Sequence, residues 1–146
     1  MASDLPITLT STVIAYYRNH AVFSRADKFA ERVALREHYS DGWTKGKPGL
    51  TIRPDGGQAD RFTAQMRGRL ECRIYASDPE LCDGLFGLLE QDLQAFDRTL
   101  VNHEAVLQYL VLEGSPNYLH DPDTNLPMYL FFITAAVRTE SALAEA

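Results

Sequence analysis

Histidines, cysteines and closely spaced carboxylates are the residues through which a chain of this size would bind a metal or move a proton. Their spacing here argues against both. His20, His38, His103 and His120 are scattered, and none stands at i, i+4 from a second ligand, so no helix presents a zinc-binding face. Cys72 and Cys82 have no histidine in a nucleophile setting, no serine sits in a glycine-flanked strand-to-helix elbow, and no glycine-rich phosphate cradle occurs. The two cysteines read as small core residues, one on a strand and one on the next helix, and a disulfide is disfavoured in a chain not exported. Asp121-Pro122-Asp123-Thr124-Asn125 has the alternating oxygens that begin a calcium loop. Leu126 stands where that loop needs glycine and Phe132 where it needs a bidentate glutamate, so the segment is expected to be a capped hairpin turn. No catalytic residue, metal or cofactor is expected.

Gly56-Gly57-Gln58 matches the tripeptide with which peptide-release factors position water at an ester. Without an RNA-binding surface to deliver it, a turn exploiting glycine's backbone freedom is the better reading. The remaining residues of interest would act through surfaces. Trp43 lies among Asp41, Gly42, Lys45 and Lys47, where it either docks a partner or folds back over a sheet as a lid. Arg67, Arg69 and Arg73 fall on one outward strand face with Glu71 between them, a pattern of solvated or intersubunit pairs. Twenty Asp and Glu against fourteen Lys and Arg give a net charge of -6, which repels a phosphate backbone.

The elements that must hold these residues follow from periodicity. A chain of 146 residues supports one domain, taken as 1–146. Ile7 to Phe23 fits both a two-residue and a helical period; Pro6 in a first turn, with Asp4 as cap, favours helix. Ala30 to Tyr39 alternates as a half-buried strand with Val33 and Leu35 on one face. Ser40 to Gln65 is dense in Gly, Pro and Asp and is expected to be a long loop at about 40–65, with at most a short strand at Leu50 to Arg53. Arg67 to Ala76 alternates cleanly, with Leu70, Cys72, Ile74 and Ala76 inward and Arg69, Glu71, Arg73 and Tyr75 outward. Ser77 and Glu80 match a capping box opening an amphipathic helix to about Asp97, on which Gly84 and Gly87 imply close packing against a sheet. Val106 to Leu112 and Met128 to Ile133 read as strands covered on both faces, joined by a polar hairpin from Gly114 to Pro127. Leu126 to Val137 is too short for a membrane helix, and the start carries no secretory pattern. The expected fold is α+β: a small mixed, mostly antiparallel four-stranded sheet with helices packed on one face.

These residues, in this order, resemble the tail-terminator proteins of lambda-like siphophages and related tailed bacteriophages. The resemblance rests on Ala21-Val22-Phe23 with Ala26-Asp27 before the first strand, and on Leu70 to Tyr75 leading into Ser77-Asp78-Pro79-Glu80. Asn117-Tyr118-Leu119-His120-Asp121-Pro122-Asp123 ahead of the strand Tyr129 to Val137 completes it. It implies a virion structural protein, not an enzyme. Such a protein forms a homohexameric ring that caps the tail tube, ends tail polymerisation and offers the head or neck a docking face. Its partners would be copies of itself, the tail tube protein and a neck or head-completion protein, with DNA only passing through the channel and no membrane. It would reside at the tail–neck junction of the virion, and in the host cytoplasm during assembly. Exposed strand edges would serve as contacts, and each subunit of a closed ring needs two different complementary patches.

The expected interface residues are Trp43, Lys45, Lys47, Arg53, Arg61, Arg67, Arg69 and Arg73. Deleting Trp43 to Gly57 is expected to leave the monomer folded and abolish capping. Two other readings stay open: a neck or head-closure adaptor or other minor tail protein, and a small α+β ligand-binding or hydrolytic domain with a pocket of Tyr109, Tyr118, Tyr129 and His120.

Overall fold

The computed structural model describes residues 8–35, 39, 43, 47–60, 65–101 and 105–139. The first helix, α1 (Leu9–Arg18), starts where a capping box allows it. The Thr8 hydroxyl accepts the Ser11 N–H at 3.0 Å, and the Ser11 hydroxyl accepts that of Thr8 at 3.0 Å. The helical reading of this segment therefore holds, with Thr8 as its cap; Asp4 and Pro6 lie outside the described residues. Val13, Ile14 and Tyr17 form the buried stripe. From His20 to Arg32 the chain runs through turns, pinned by the Phe23 carbonyl, which accepts from Phe29 and Ala30 at 3.1 and 3.0 Å.

Six strands are described: β1 (Val33–Leu35), β2 (Gly49–Asp60), β3 (Gln65–Tyr75), β4 (Thr99–Val101), β5 (Ala105–His120) and β6 (Pro127–Thr139). They form one sheet in the order β1-β2-β3-β6-β5-β4, with β1 parallel to β2 and the other neighbours antiparallel. This corrects the expected four-stranded sheet. The largest part of the correction is β2, which occupies most of the segment read as a loop. Its turn residues are tolerated for a local reason. Among the described residues β1 covers Leu50 to Ile52 alone, so from Arg53 onward β2 is an edge there, where Pro54 needs no outer partner. Between Pro54 and Gly57 the register shifts through a bulge in which Gly56 takes φ 103°, open to glycine and strained for other residues. A deletion from Trp43 to Gly57 thus removes much of a strand that β3 pairs with, and an intact monomer is no longer expected from it.

The second helix, α2 (Pro79–Gln94), begins at Asp78, not Ser77: the Asp78 carboxylate accepts the Leu81 N–H at 2.8 Å, with Pro79 in the first turn. It ends at Gln94, short of Asp97. Cys82, Leu85, Phe86, Leu89 and Leu93 are its buried face. They join the same cluster as Val13, Ile14 and Tyr17 of α1 and Leu50, Ile52, Leu70, Cys72, Ile74, Phe131 and Ile133 of the sheet, so both helices lie on one side. Since α1 touches all six strands, the sheet curls around it, and α2 lies chiefly against β3, β5 and β6. Among the described residues Gly84 and Gly87 lack the packing reason expected of them, because a Cβ on either would meet no described atom within 4 Å.

Two further expectations do not hold. Alternation puts Leu35 on the same face as Val33, yet it is 59% exposed where β1 runs out beside α1. The stretch Gly114 to Pro127 is not one hairpin connection: β5 continues to His120 through a bulge at Gly114 (φ 67°), and the turn proper is Asp121 to Leu126. There the Asp121 carboxylate accepts from the Asp123 N–H at 3.1 Å and the Thr124 hydroxyl at 2.7 Å, while Asn125 takes φ 59°. The carboxylate that a calcium ion would need is engaged in capping the turn.

Cys72 and Cys82 are buried free thiols. Burial pushes the Cys82 thiol up to about 12, and Cys72 higher still. At pH 8 the native protein is expected not to react with Ellman's reagent, and both thiols to react after denaturation. A folded-state pKa above the unfolded value contributes stability that is complete below the unfolded thiol pKa of about 8.5 and is lost as pH rises towards the folded value. The melting temperature should therefore fall from pH 9 upward; fast thiol labelling of the native state would contradict the buried assignment.

Candidate functional site

The face of the sheet away from the helices gathers most of the described arginines. Register fixes the arrangement: Arg53 pairs with Glu71, Thr51 with Arg73, and across the next strand Glu71 faces Phe132, Arg69 faces Thr134 and Arg67 faces Ala136. Side chains alternate along each strand, so these positions share one surface. Four of the expected interface residues, Arg53, Arg67, Arg69 and Arg73, therefore lie together. Lys45 and Arg61 fall outside the described residues.

This face is not the simple solvated one that alternation suggested. Glu71 is only 6% exposed and Tyr75 fully buried. The Glu71 carboxylate accepts from Arg53 Nε and, at 3.2 Å, from the Arg73 guanidinium. Arg69 reaches Asp55 at 2.6 Å and lies 4.5 Å from the centre of the Phe132 ring, a cation–π contact. Arg67 is exposed and, among the described residues, enters no ion pair. Val111, 52% exposed, pairs with Thr134 and so adds an apolar point beside Arg69. Asp55, Phe132, Val111 and Glu113 were missed from the sequence, because only strand register brings them there.

Trp43 and Lys47 belong to a different place. Trp43 is half-buried, edge-on to Tyr39 at 5.1 Å, in a small cluster with Tyr75, Leu126 and Met128. The indole covers Gly49 so closely that a Cβ there would come within 2.6 Å of it. Of the two readings left open for Trp43, this geometry is that of the folded-back lid. Lys47 is exposed, and its carbonyl accepts the Tyr39 hydroxyl at 2.7 Å. Gly49 pairs with Tyr75, Thr51 with Arg73 and Arg53 with Glu71, so along the strands the tryptophan's contact at Gly49 is roughly 7 Å from Arg73 and roughly 13 Å from Arg53.

An acid–base cluster with no local signal in the sequence joins the two helices. Asp92 on α2 accepts from the Tyr16 hydroxyl at 3.0 Å and holds His20 Nε2 at 2.7 Å. His20 Nδ1 accepts the Val22 N–H at 3.1 Å, so the ring proton sits on Nε2 and donates to Asp92. Both ring nitrogens are engaged and neither is free to take a proton from a substrate. Burial and then the Asp92 charge raise the Tyr16 phenol well above its usual range, keeping it a donor. An open cleft of about 350 Å³ lies beside this cluster, bounded by Tyr16, His20, Thr99 and Leu100. The arrangement fastens α1 to α2.

The four-residue pocket considered as an alternative does not form. Tyr118 and Tyr129 pack edge-on at 5.5 Å, and Tyr129 donates to Asp83 at 2.7 Å. His120 is engaged with Asn125 at 3.0 Å. Tyr109 pairs with Ala136, seven positions along β6 from Tyr129, or roughly 23 Å. His38 and His103 lie outside the described residues, and among those described no group of three metal-ligating side chains converges.

Neither a family model nor a curated protein matches the sequence. Among solved structures, a chain from the virion of a native gene transfer agent particle is similar to this one in fold, with a TM-score of 0.62 at 14% identity. The match covers 88% of this chain and 93% of that one.

Proposed function

We propose that this chain is a structural protein of a tailed, phage-like particle, and that it closes the tail tube as a ring of identical subunits. The observation that carries the reading is the fold likeness to a virion component over nearly the whole of both chains. The sequence resemblance to tail terminators also implies a virion structural protein, and the capping role is the finer reading taken from that resemblance. The chemistry supports an assembly role over a catalytic one. The described histidine–carboxylate pair has both ring nitrogens committed, and the buried thiols are held protonated. The sheet, by contrast, offers long margins: among the described residues, β5 beyond Leu107 and β2 beyond Ile52 have no outer neighbour. Arg18 blunts the short β1 margin by donating to the Val33 carbonyl at 2.7 Å.

A neck or head-closure adaptor of the same fold is the second reading, because the similar chain is described only as part of a virion. Electron microscopy of particles assembled with and without this chain separates the two. Tubes of uncontrolled length that fail to join heads are expected when it is missing. Tubes of normal length that lack only the head junction would favour the adaptor, and unaltered particles would remove both.

A further inference from the structure

Resting on the ring reading, we infer that neighbouring copies contact each other through two opposite faces: the outward seam of α2 on one copy and the arginine face of the sheet on the next. The helix seam consists of Glu80, Asp83, Gly84, Gly87, Leu88 and Gln91, spaced at three and four residues on the side away from the buried stripe. Three independent features of it are unexplained within one subunit. Gly84 and Gly87 weaken the helix, yet among the described residues nothing approaches where their Cβ atoms would be. Leu88, next to Gly87 and one turn on from Gly84, is 37% exposed. From Ile74 to Asp97 the sequence holds Asp78, Glu80, Asp83, Glu90, Asp92 and Asp97 and no Lys, Arg or His, so this side of the subunit is acidic.

The opposite side has the complementary character. By register Arg53, Arg67, Arg69, Arg73 and Arg138 share the helix-free face with Asp55, Asp60, Glu71 and Glu113, leaving it slightly net positive in a chain that is net negative. Val111 is its exposed apolar point, a counterpart for Leu88. Glycines without side chains let a helix backbone approach a sheet surface closely, which gives Gly84 and Gly87 a purpose that folding alone does not. Because the two faces lie on opposite sides of the two-layer subunit, the contact is heterologous and repeats from copy to copy, as a ring requires. The occupant of the arginine face is therefore a second copy of this chain, chosen by charge complementarity over a nucleic acid.

The test is self-association of the purified full chain by sedimentation velocity, with circular dichroism to verify folding. R67E/R69E and E80K/Q91K are each expected to weaken association at least tenfold, and an equimolar mixture to restore it, since the reversed faces then match each other. G84A/G87A is expected to melt at higher temperature than the wild type and still associate at least tenfold more weakly. Unchanged association in the two charge variants, or no rescue on mixing, would overturn the assignment. So would a wild-type monomer that binds duplex DNA through Arg67 and Arg69. A wild type that stays monomeric but is still found in particles defeats this contact and leaves the virion reading standing. A chain that associates as described but is absent from particles defeats the virion reading and leaves the contact.

Discussion

Replacing Glu71 with alanine should lower stability by about 3 kcal/mol, a drop of roughly 10 °C in melting temperature for a chain of this length. The carboxylate is 7% exposed and holds Arg53 from β2 and Arg73 from its own strand. Removing it leaves two guanidiniums side by side on a surface that has closed over one of them, for Arg73 is only 19% exposed. Arg53 is 37% exposed and can turn towards water, which keeps the loss near the lower end of what a broken buried pair costs. The Arg69–Asp55 pair beside it, 49% and 32% exposed, should contribute less than about 1 kcal/mol. Urea unfolding of E71A and D55A checks the contrast. Equal effects of the two substitutions would mean that Glu71 is not the anchor of the arginine face. A double E71L/R53M variant should recover part of the loss, because apolar replacement of both partners leaves no orphaned charge on β2.

The same pair shows what a sequence does and does not disclose. Alternation along Leu70 to Tyr75 announced β3 correctly, since a period of two survives wherever one face is buried. It could not announce that the other face is partly closed as well, because Glu71 and Tyr75 are covered by residues from β2 and from the Tyr39–Trp43 cluster. The strand β2 was hidden by its own chemistry: Pro54, Gly56 and Gly57 are turn formers, and only the shortness of β1 and a bulge let them stand in a ladder. Similarly, Gly114-Ser115-Pro116 looked like a hairpin end and is a bulge within β5, while three-residue β4 is too short to have a period. Of the candidate interface, the grouping of Arg67, Arg69 and Arg73 was legible from spacing. The addition of Arg53, and the separation of Trp43 and Lys47 from them, required the β2–β3 register. The link between His20 and Asp92, 72 residues apart, had no local signal at all.

Phe86→Ala should cost about 3–4 kcal/mol, and its effect should be concentrated in α2. Phe86 is 6% exposed, stacked on Tyr129 at 5.0 Å and edge-on to Phe131 at 5.2 Å. Tyr118 extends this column to the surface against Tyr129. Those rings are the main apolar tie between α2 and β6, whereas α1 is gripped by every strand of the curled sheet. Loss of one ring from the column therefore removes a large share of what holds α2 and little of what holds α1. Hydrogen exchange of F86A should show α2 amides opening well before those of β3 and β6, which sit at the centre of the sheet. If α1 and α2 instead gain exchange equally, the two helices form one cooperative unit, with the Tyr16–Asp92–His20 cluster coupling them. The distinction bears on assembly, because a seam on a helix that opens on its own can be ordered by the neighbour that docks on it. In that case F86A would lose self-association beyond what its folded fraction predicts.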